Sequence, residues 1–253
     1  MSDEGGVLLE KRHGHVLLLT MNRPERHHAL NRELTAALGA AVERAEHDPD
    51  VRVIVLTGSG ERAFCAGADM LEMSGVEASS RPAPAPSRDG GTGRFLTTPI
   101  PVIAAVNGYC YGGGASLAIS CDIRLASESA TFRLPGTEYG LVVAAATLPR
   151  LVGSSKAKEL IFTARRFTAA EALAWGLVSA VYPQPELLAA ALALAQEIAG
   201  HSVAAVRGSK RVIDAATLSS AALELEAETN RALRGSPEQS ERFRSATRRV
   251  TGR

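Results

Sequence analysis

Two stretches of the chain carry the residue types from which backbone chemistry is built. Residues 53–57 run into Gly58 and then Phe64-Cys65-Ala66-Gly67-Ala68-Asp69. Residues 102–106 run into Asn107-Gly108 and then Tyr109-Cys110-Tyr111-Gly112-Gly113-Gly114, before a helical stretch over 115–120. Both follow one grammar: buried strand, glycine, short loop, small residues, helix. Helix N-termini present unpaired N–H groups and partial positive charge, and Gly or Ala lets another group come close. Parallel strands of one sheet would bring both turns to one edge, where ligands of open α/β sheets bind. Two convergent N–H groups form an oxyanion hole, which holds a carbonyl as it becomes enolate-like; losing one such donor typically costs about 3 kcal/mol of barrier. The same spacing also describes two tight strand-to-helix turns whose glycines serve packing alone, and spacing leaves both readings open.

Two further motifs point to other chemistries. Gly114-Ala115-Ser116-Leu117-Ala118 imitates the G-x-S-x-G nucleophile turn, with a small final residue. That motif needs its serine on a sharp turn directly after a strand. Here the strand ends near Val106, Ser116 falls inside a helix, and His201 comes late, in a Gly-His-Ser break. Gly58-Ser59-Gly60-Glu61-Arg62-Ala63 satisfies a dinucleotide-binding G-x-G-x-x-A. Yet Phe64-Cys65-Ala66-Gly67 reads as further loop where a helix should open. The acidic residue wanted about 20 positions on falls where no second strand is read. Cys65, Cys110 and Cys121 make no C-x-x-C pair and no even disulfide framework; they read as small buried hydrophobes.

The turns need elements to carry them. Residues 51–57 (VRVIVLT) and 101–106 (PVIAAV) are nearly continuous apolar runs, as strands buried on both faces of a parallel sheet require. Upstream, residues 7–9 and 16–20 read as short strands joined by a polar turn over 10–15. After Asn22-Arg23-Pro24, Leu34, Leu38 and Val42 recur at helical spacing over 31–47, and Asp48-Pro49-Asp50 stops that helix. This alternation predicts an α/β fold with parallel pairing. Residues 76–93 (VEASSRPAPAPSRDGGTG) hold too much Pro, Ser and Gly to pack and read as a mobile surface loop. Leu187–Ala199, 203–216, 219–233 and 237–250 read as helices separated by Gly, Ser or Pro breaks.

Composition limits the function classes. At 253 residues the chain suits one large domain, or one with an appended piece. Its 45% hydrophobic and 22% charged residues argue against wholesale disorder. A formal net charge of +1 and 4% aromatics lack both the basic footprint and the stacking platforms of a nucleic-acid binder. The acidic start and short first apolar run do not read as a signal peptide, and no uncharged apolar run reaches the ~18 residues of a membrane span. The cytoplasm is the expected compartment.

Several ordered motifs then carry a resemblance. Asn22–Asn31 (NRPERHHALN), Phe64–Asp69 (FCAGAD), residues 101–114 (PVIAAVNGYCYGGG), Cys121-Asp122-Ile123-Arg124 and residues 168–181 (TAAEALAWGLVSAV) look like the crotonase, or enoyl-CoA hydratase/isomerase, family. The resemblance implies a spiral of ββα units over residues 1–184 that binds acyl-CoA, with a helical oligomerisation region over 185–253. The assembly implied is a homotrimer or a dimer of trimers. Coenzyme A would come as part of the ligand, with no other cofactor and no metal. The oxyanion donors would be the N–H groups of Ala68 and Gly113. His27, His28, Ala29, Leu30, Ala66, Asp69, Met70 and Leu71 would line the CoA, with both histidines in a surface role and Asp69 capping a helix. Asp122 would be structural.

One departure bears on function. Hydratases of the family place one glutamate two residues after the glycine triplet and another after the proline of F-x-x-P-E, because holding water and protonating carbon takes two acid/base groups. Here these positions are Ser116 and Gly136. Glu138, in GTEYG, is the nearest substitute acid and reads as solvent-facing; residues 141–147 offer none. Three readings therefore stand: an acyl-CoA holder, a thioester enzyme with a non-standard acid such as Glu138, and an active hydratase/isomerase. In the tail, Arg242, Arg244, Arg248, Arg249 and Arg253 form either a solvated face or a phosphate contact.

Overall fold

A computed structural model describes residues 6–73 and 91–252. The chain opens with a hairpin, β1 (Leu8–His13) and β2 (Val16–Met21), whose turn is only Gly14-His15, with Gly14 at φ +59°. The polar turn expected over 10–15 is thus mostly strand. Glu10, Lys11 and Arg12 are exposed on β1, at the sheet edge, where charge blocks pairing with another chain. Asn31 then starts α1 (Arg32–His47) by accepting from Leu34 N at 2.9 Å.

Next come β3 (Val53–Gly58), β4 (Ala63–Cys65), α2 (Met70–Met73) and, after the undescribed stretch, α3 (Arg94–Thr97). Most of the loop expected over 76–93 lies outside the described residues; its last three, Gly91–Gly93, form one 3-10 turn. β5 (Val102–Val106), β6 (Tyr109–Tyr111) and α4 (Gly113–Ser120) follow, then β7 (Ile123–Ser127) and β8 (Thr131–Arg133). The remainder of the body is α5 (Pro149–Val152), α6 (Ser154–Thr163), β9 (Phe167–Thr168), α7 (Ala169–Ala174) and β10 (Ala180–Tyr182).

Two sheets result. One has the order β1-β2-β3-β5-β7-β10, parallel except for β1; the other has the order β4-β6-β8-β9. Each central strand of the large sheet passes straight into a three-residue strand of the small one: β3 to β4, β5 to β6, β7 to β8. This repeated step makes the spiral of ββα turns. The small strands fall where the sequence reads as loop, because three residues carry no detectable period and each depends on its neighbours for pairing.

Side-chain alternation then splits the core. Val53, Val55, Ile103 and Ala105 pack with Leu187, Ala191, Ala195 and Ala199 of α8 (Leu187–Ala199). Ile54, Leu56, Val102 and Ala104 pack on the other face with Leu34, Leu38 and Val42 of α1. Every residue of β3 and β5 is buried, which accounts for their unbroken apolar character. Each buried Val, Leu or Ile contributes roughly 1.5–3 kcal/mol.

The tail continues with α9 (Val203–Thr217), α10 (Ser220–Leu233) and α11 (Pro237–Thr251). The serines read as breaks are N-caps. Ser202, Ser219 and Ser236 accept from Ala205, Ala222 and Gln239 N at 3.4, 3.1 and 3.2 Å. Neither α9 nor α10 contains a buried residue.

Candidate active site

Residues 27–30 run beside residues 66–69. Ala66 N donates to His27 O at 2.9 Å, Leu30 N to Gly67 O at 2.7 Å and Asp69 N to Leu30 O at 3.1 Å. In this short parallel bridge between Leu30 and Ala68, Leu30 uses the groups either side of Ala68. The N–H of Ala68 itself therefore turns outward, and it meets no acceptor among the described residues. Ala68 is exposed.

The second turn is pressed against the first. Gly112, at φ +52° and ψ −119°, starts α4 without any side-chain cap, so the N–H of Gly113 is also left without an acceptor among the described residues. A Cβ on Gly67 (φ +100°) would stand 2.8 Å from Tyr111 O and 3.1 Å from Gly113 N; one on Gly113 would stand 3.6 Å from Ala68 N. Gly114 leaves even less room, since its Cβ would meet Cys65 O at 2.2 Å. The close approach of the two turns thus depends on glycine. The helix begins at Gly113, two residues before the expected start, because only glycine readily adopts the Gly112 backbone.

Three groups hold this arrangement. The Arg23 guanidinium donates to Asp69 Oδ2 at 2.9 Å and to Ala29 O, tying the 23–30 segment to the first turn. His28 Nδ1 accepts from Arg23 N at 3.0 Å while Nε2 donates to Ser59 O at 2.9 Å, which fixes a neutral ring. Burial lowers the His28 pKa below its ordinary 6.5. The buried Arg124 of Cys121-Asp122-Ile123-Arg124 donates to Cys121 O and Leu177 O, each at 2.6 Å, and closes the C-terminal end of α4. Burial lowers its pKa as well.

The expected ligand residues therefore divide. Ala66, His27, Leu30 and Met70 are half-buried around the turn. His28 is only 1% exposed and Asp69 only 4%, so neither side chain has the surface or ligand-facing role expected of it. Both are spent on the backbone and on Arg23, although Asp69 Oδ1 does accept from Glu72 N at 3.4 Å as a cap. Ala29 and Leu71 are buried too. Asp122 is structural: it accepts from Val102 N at 2.8 Å and from Lys210 Nζ at 2.7 Å. The three cysteines are buried and free, with burial pushing Cys65 and Cys121 up to about 12 and Cys110 well above its usual value. Such thiols are inert.

Beside the two amides, Ser116 N donates to Gly112 O at 3.0 Å, and its Oγ has no partner among the described residues. Gly136 is buried, and its carbonyl accepts from Tyr139 N at 3.0 Å and Leu141 N at 2.8 Å, folding residues 136–141 back on themselves. Glu138 lies on the 3-10 turn Thr137–Tyr139, with its carboxylate 2.8 Å from Arg133 and 3.7 Å from Arg249. It borders a cavity of about 370 Å³ shared with Glu241, Arg242, Ser245, Ala246 and Arg249 of α11, which Ala68 and Gly113 do not line. The tail arginines are largely paired: Arg242 with Glu238 at 2.8 Å, and Arg244 and Arg248 with Glu241 at 3.0 and 3.7 Å. Arg253 lies outside the described residues.

The family model for enoyl-CoA hydratase/isomerase matches residues 11–249. The chain belongs to this, the crotonase, family. Among its relatives is the short-chain-enoyl-CoA hydratase of Clostridium acetobutylicum, 39% identical over 216 residues that cover 82% of this chain and 80% of the relative. Solved crotonase structures superpose closely. EchA1_1 from Mycobacterium paratuberculosis gives a TM-score of 0.87 at 34% identity, over 97% of each chain. A carnitinyl-CoA hydratase from Mycobacterium avium gives 0.86 at 34% identity, over 96% of each chain. The α/β spiral with its C-terminal helices is thus the crotonase fold.

Proposed function

We propose that this crotonase holds an acyl-CoA thioester with its carbonyl on the N–H groups of Ala68 and Gly113, and that it hydrates enoyl-CoA poorly. One observation carries the reading. Two acceptor-free amides stand on turns in contact, while the flanking positions Ser116 and Gly136 bring no ionisable group. Such amides stabilise negative charge on a thioester oxygen. General acid–base help, worth about 10²–10⁴-fold per group, has no carrier at either position.

The experiment compares binding with turnover. Calorimetry should show crotonyl-CoA binding more tightly than free CoA, with hydration of crotonyl-CoA near background. Turnover on the order of 10 s⁻¹ or more would overturn the reading. A hydration rate abolished by Glu138→Gln would assign the acid to Glu138 instead. Product formation across a panel of acyl-CoA thioesters distinguishes a holder from an enzyme of another thioester chemistry, since the fold alone does not choose one.

We also assign a homotrimer or a dimer of trimers. Val212 and Ile213 of α9 are 66% and 60% exposed, and the same helix borders an apolar cleft of about 570 Å³ that includes Ile123, Leu151 and Ile198. Surface of this kind is commonly covered by a second chain. No single helix among the described residues is long and apolar enough to cross a membrane.

A further inference from the structure

We propose that Val143 selects the acyl group, that Glu226 and Asn230 of α10 are the positioning residues that hold it, and that the site prefers thioesters without a 3-hydroxyl. The proposal rests on the reading that the two amides hold a CoA thioester.

The first observation is what fills the space at position 136. A Cβ on Gly136 would lie 2.8 Å from Val143 Cγ2, 3.1 Å from Val143 Cβ and 2.9 Å from Leu141 O. The preceding Pro135 sits against the glycine turn, with its ring 3.9 Å from where Gly112 would carry a Cβ. The isopropyl group of Val143 therefore stands where a side chain from position 136 would have to begin. The wall at this position is aliphatic.

The second observation is how that wall is held. Asn230 Oδ1 accepts from Val142 N at 2.9 Å, and its Nδ2 donates to Val142 O at 2.7 Å. The Glu226 carboxylate accepts from Ala144 N at 3.0 Å and from Ala146 N at 2.7 Å. These two side chains stand one turn apart on α10, a helix that buries no residue of its own. Between them Ala144 is held at φ +59°, a backbone that a residue with a Cβ rarely adopts. Three of these four hydrogen bonds thus set the residues either side of Val143, and the fourth holds Ala146 just beyond.

The chemistry follows from the wall. A hydroxyl on the third acyl carbon that turns toward this wall loses its water and meets methyl groups. An unsatisfied buried hydroxyl weakens binding roughly 5- to 150-fold. A planar enoyl or saturated chain suffers no such loss.

The test measures dissociation constants for butyryl-CoA, crotonyl-CoA, 3-hydroxybutyryl-CoA and free CoA. The wild-type chain should bind crotonyl-CoA at least 5-fold more tightly than 3-hydroxybutyryl-CoA. Val143→Thr, which keeps the shape and adds a hydroxyl, should shrink that ratio toward one. Glu226→Ala with Asn230→Ala should shrink it too, with a melting curve still cooperative, whereas residues with only a general structural role would weaken all thioesters alike. Equal wild-type affinity for both thioesters overturns the inference, as does a ratio unmoved by Val143→Thr. Acyl-CoA binding no tighter than free CoA would instead sink the underlying reading.

Discussion

His28 shows how one side chain fixes its own charge state. Its ring nitrogens face a backbone donor and a backbone acceptor, so a second ring proton would collide with Arg23 N. The neighbouring groups are Glu25, His27 and Arg23, and the strongest influence is burial, which lowers the pKa. Well above pH 6.5 the ring is neutral both folded and unfolded, and it contributes no pH dependence. As pH falls through 6.5 the unfolded chain takes up a proton that the folded one refuses, so stability drops until the lowered folded pKa is reached. Each pH unit inside that window costs up to about 1.4 kcal/mol. Thermal melts at pH 7.5 and 5.5 should therefore converge in His28→Asn relative to wild type; an unchanged difference would refute the assignment. The position is also a lesson in legibility. His27 and His28 read as a polar, outward pair, but both adopt left-handed backbone (φ +48° and +55°), which turns the second ring inward.

At the scale of elements, the site depends on both ends of α4. Its N-terminal end offers the Gly113 amide and its C-terminal end is closed by Arg124, whose fork reaches α4 and the residues after α7 together. Arg124→Met orphans the carbonyls of Cys121 and Leu177 at roughly 1–3 kcal/mol each. Urea denaturation should show a loss of roughly 2–6 kcal/mol, and Arg124→Lys should recover little of it, because an ammonium cannot span both partners. A loss under 1 kcal/mol for Arg124→Met would show that α4 is anchored otherwise. The strands that bear the turns were readable from unbroken apolar runs such as VIAAV, and the serine breaks of the tail marked real caps. Strands β4, β6 and β8 were not readable, since their three residues acquire strand character only by pairing with one another. The Gly67 and Gly112 turns were legible as glycine patterns, while Val143, Glu226 and Asn230 were not. The contacts that give Glu226 and Asn230 meaning join residues 80 to 88 positions apart, and Val143 is marked only by its approach to Gly136 in space.

For the molecule as a whole, the body and the tail are stabilised differently. The two-sided sheet is buried by α1 on one face and α8 on the other, whereas α9 and α10 lie on the surface with Val212, Ile213 and Leu225 exposed. Sedimentation should return three or six times the 26.5 kDa monomer mass, and Val212→Glu with Ile213→Lys should lower it. A wild-type monomer at micromolar concentration would remove the assigned assembly. The family motifs announced the fold over most of the chain, because they encode the backbone turns that every crotonase must make. They said less about chemistry, which depends on which side chains stand around those turns.

The crowding at Gly136 limits what that position can be changed into. A carboxylate cannot be installed at position 136 by changing that codon alone. A glutamate introduced at 136 would meet both Val143 and the Leu141 carbonyl before it reached any ligand. Making room for one would require remodelling the 141–146 segment first, and with it the grip of a helix far along the chain.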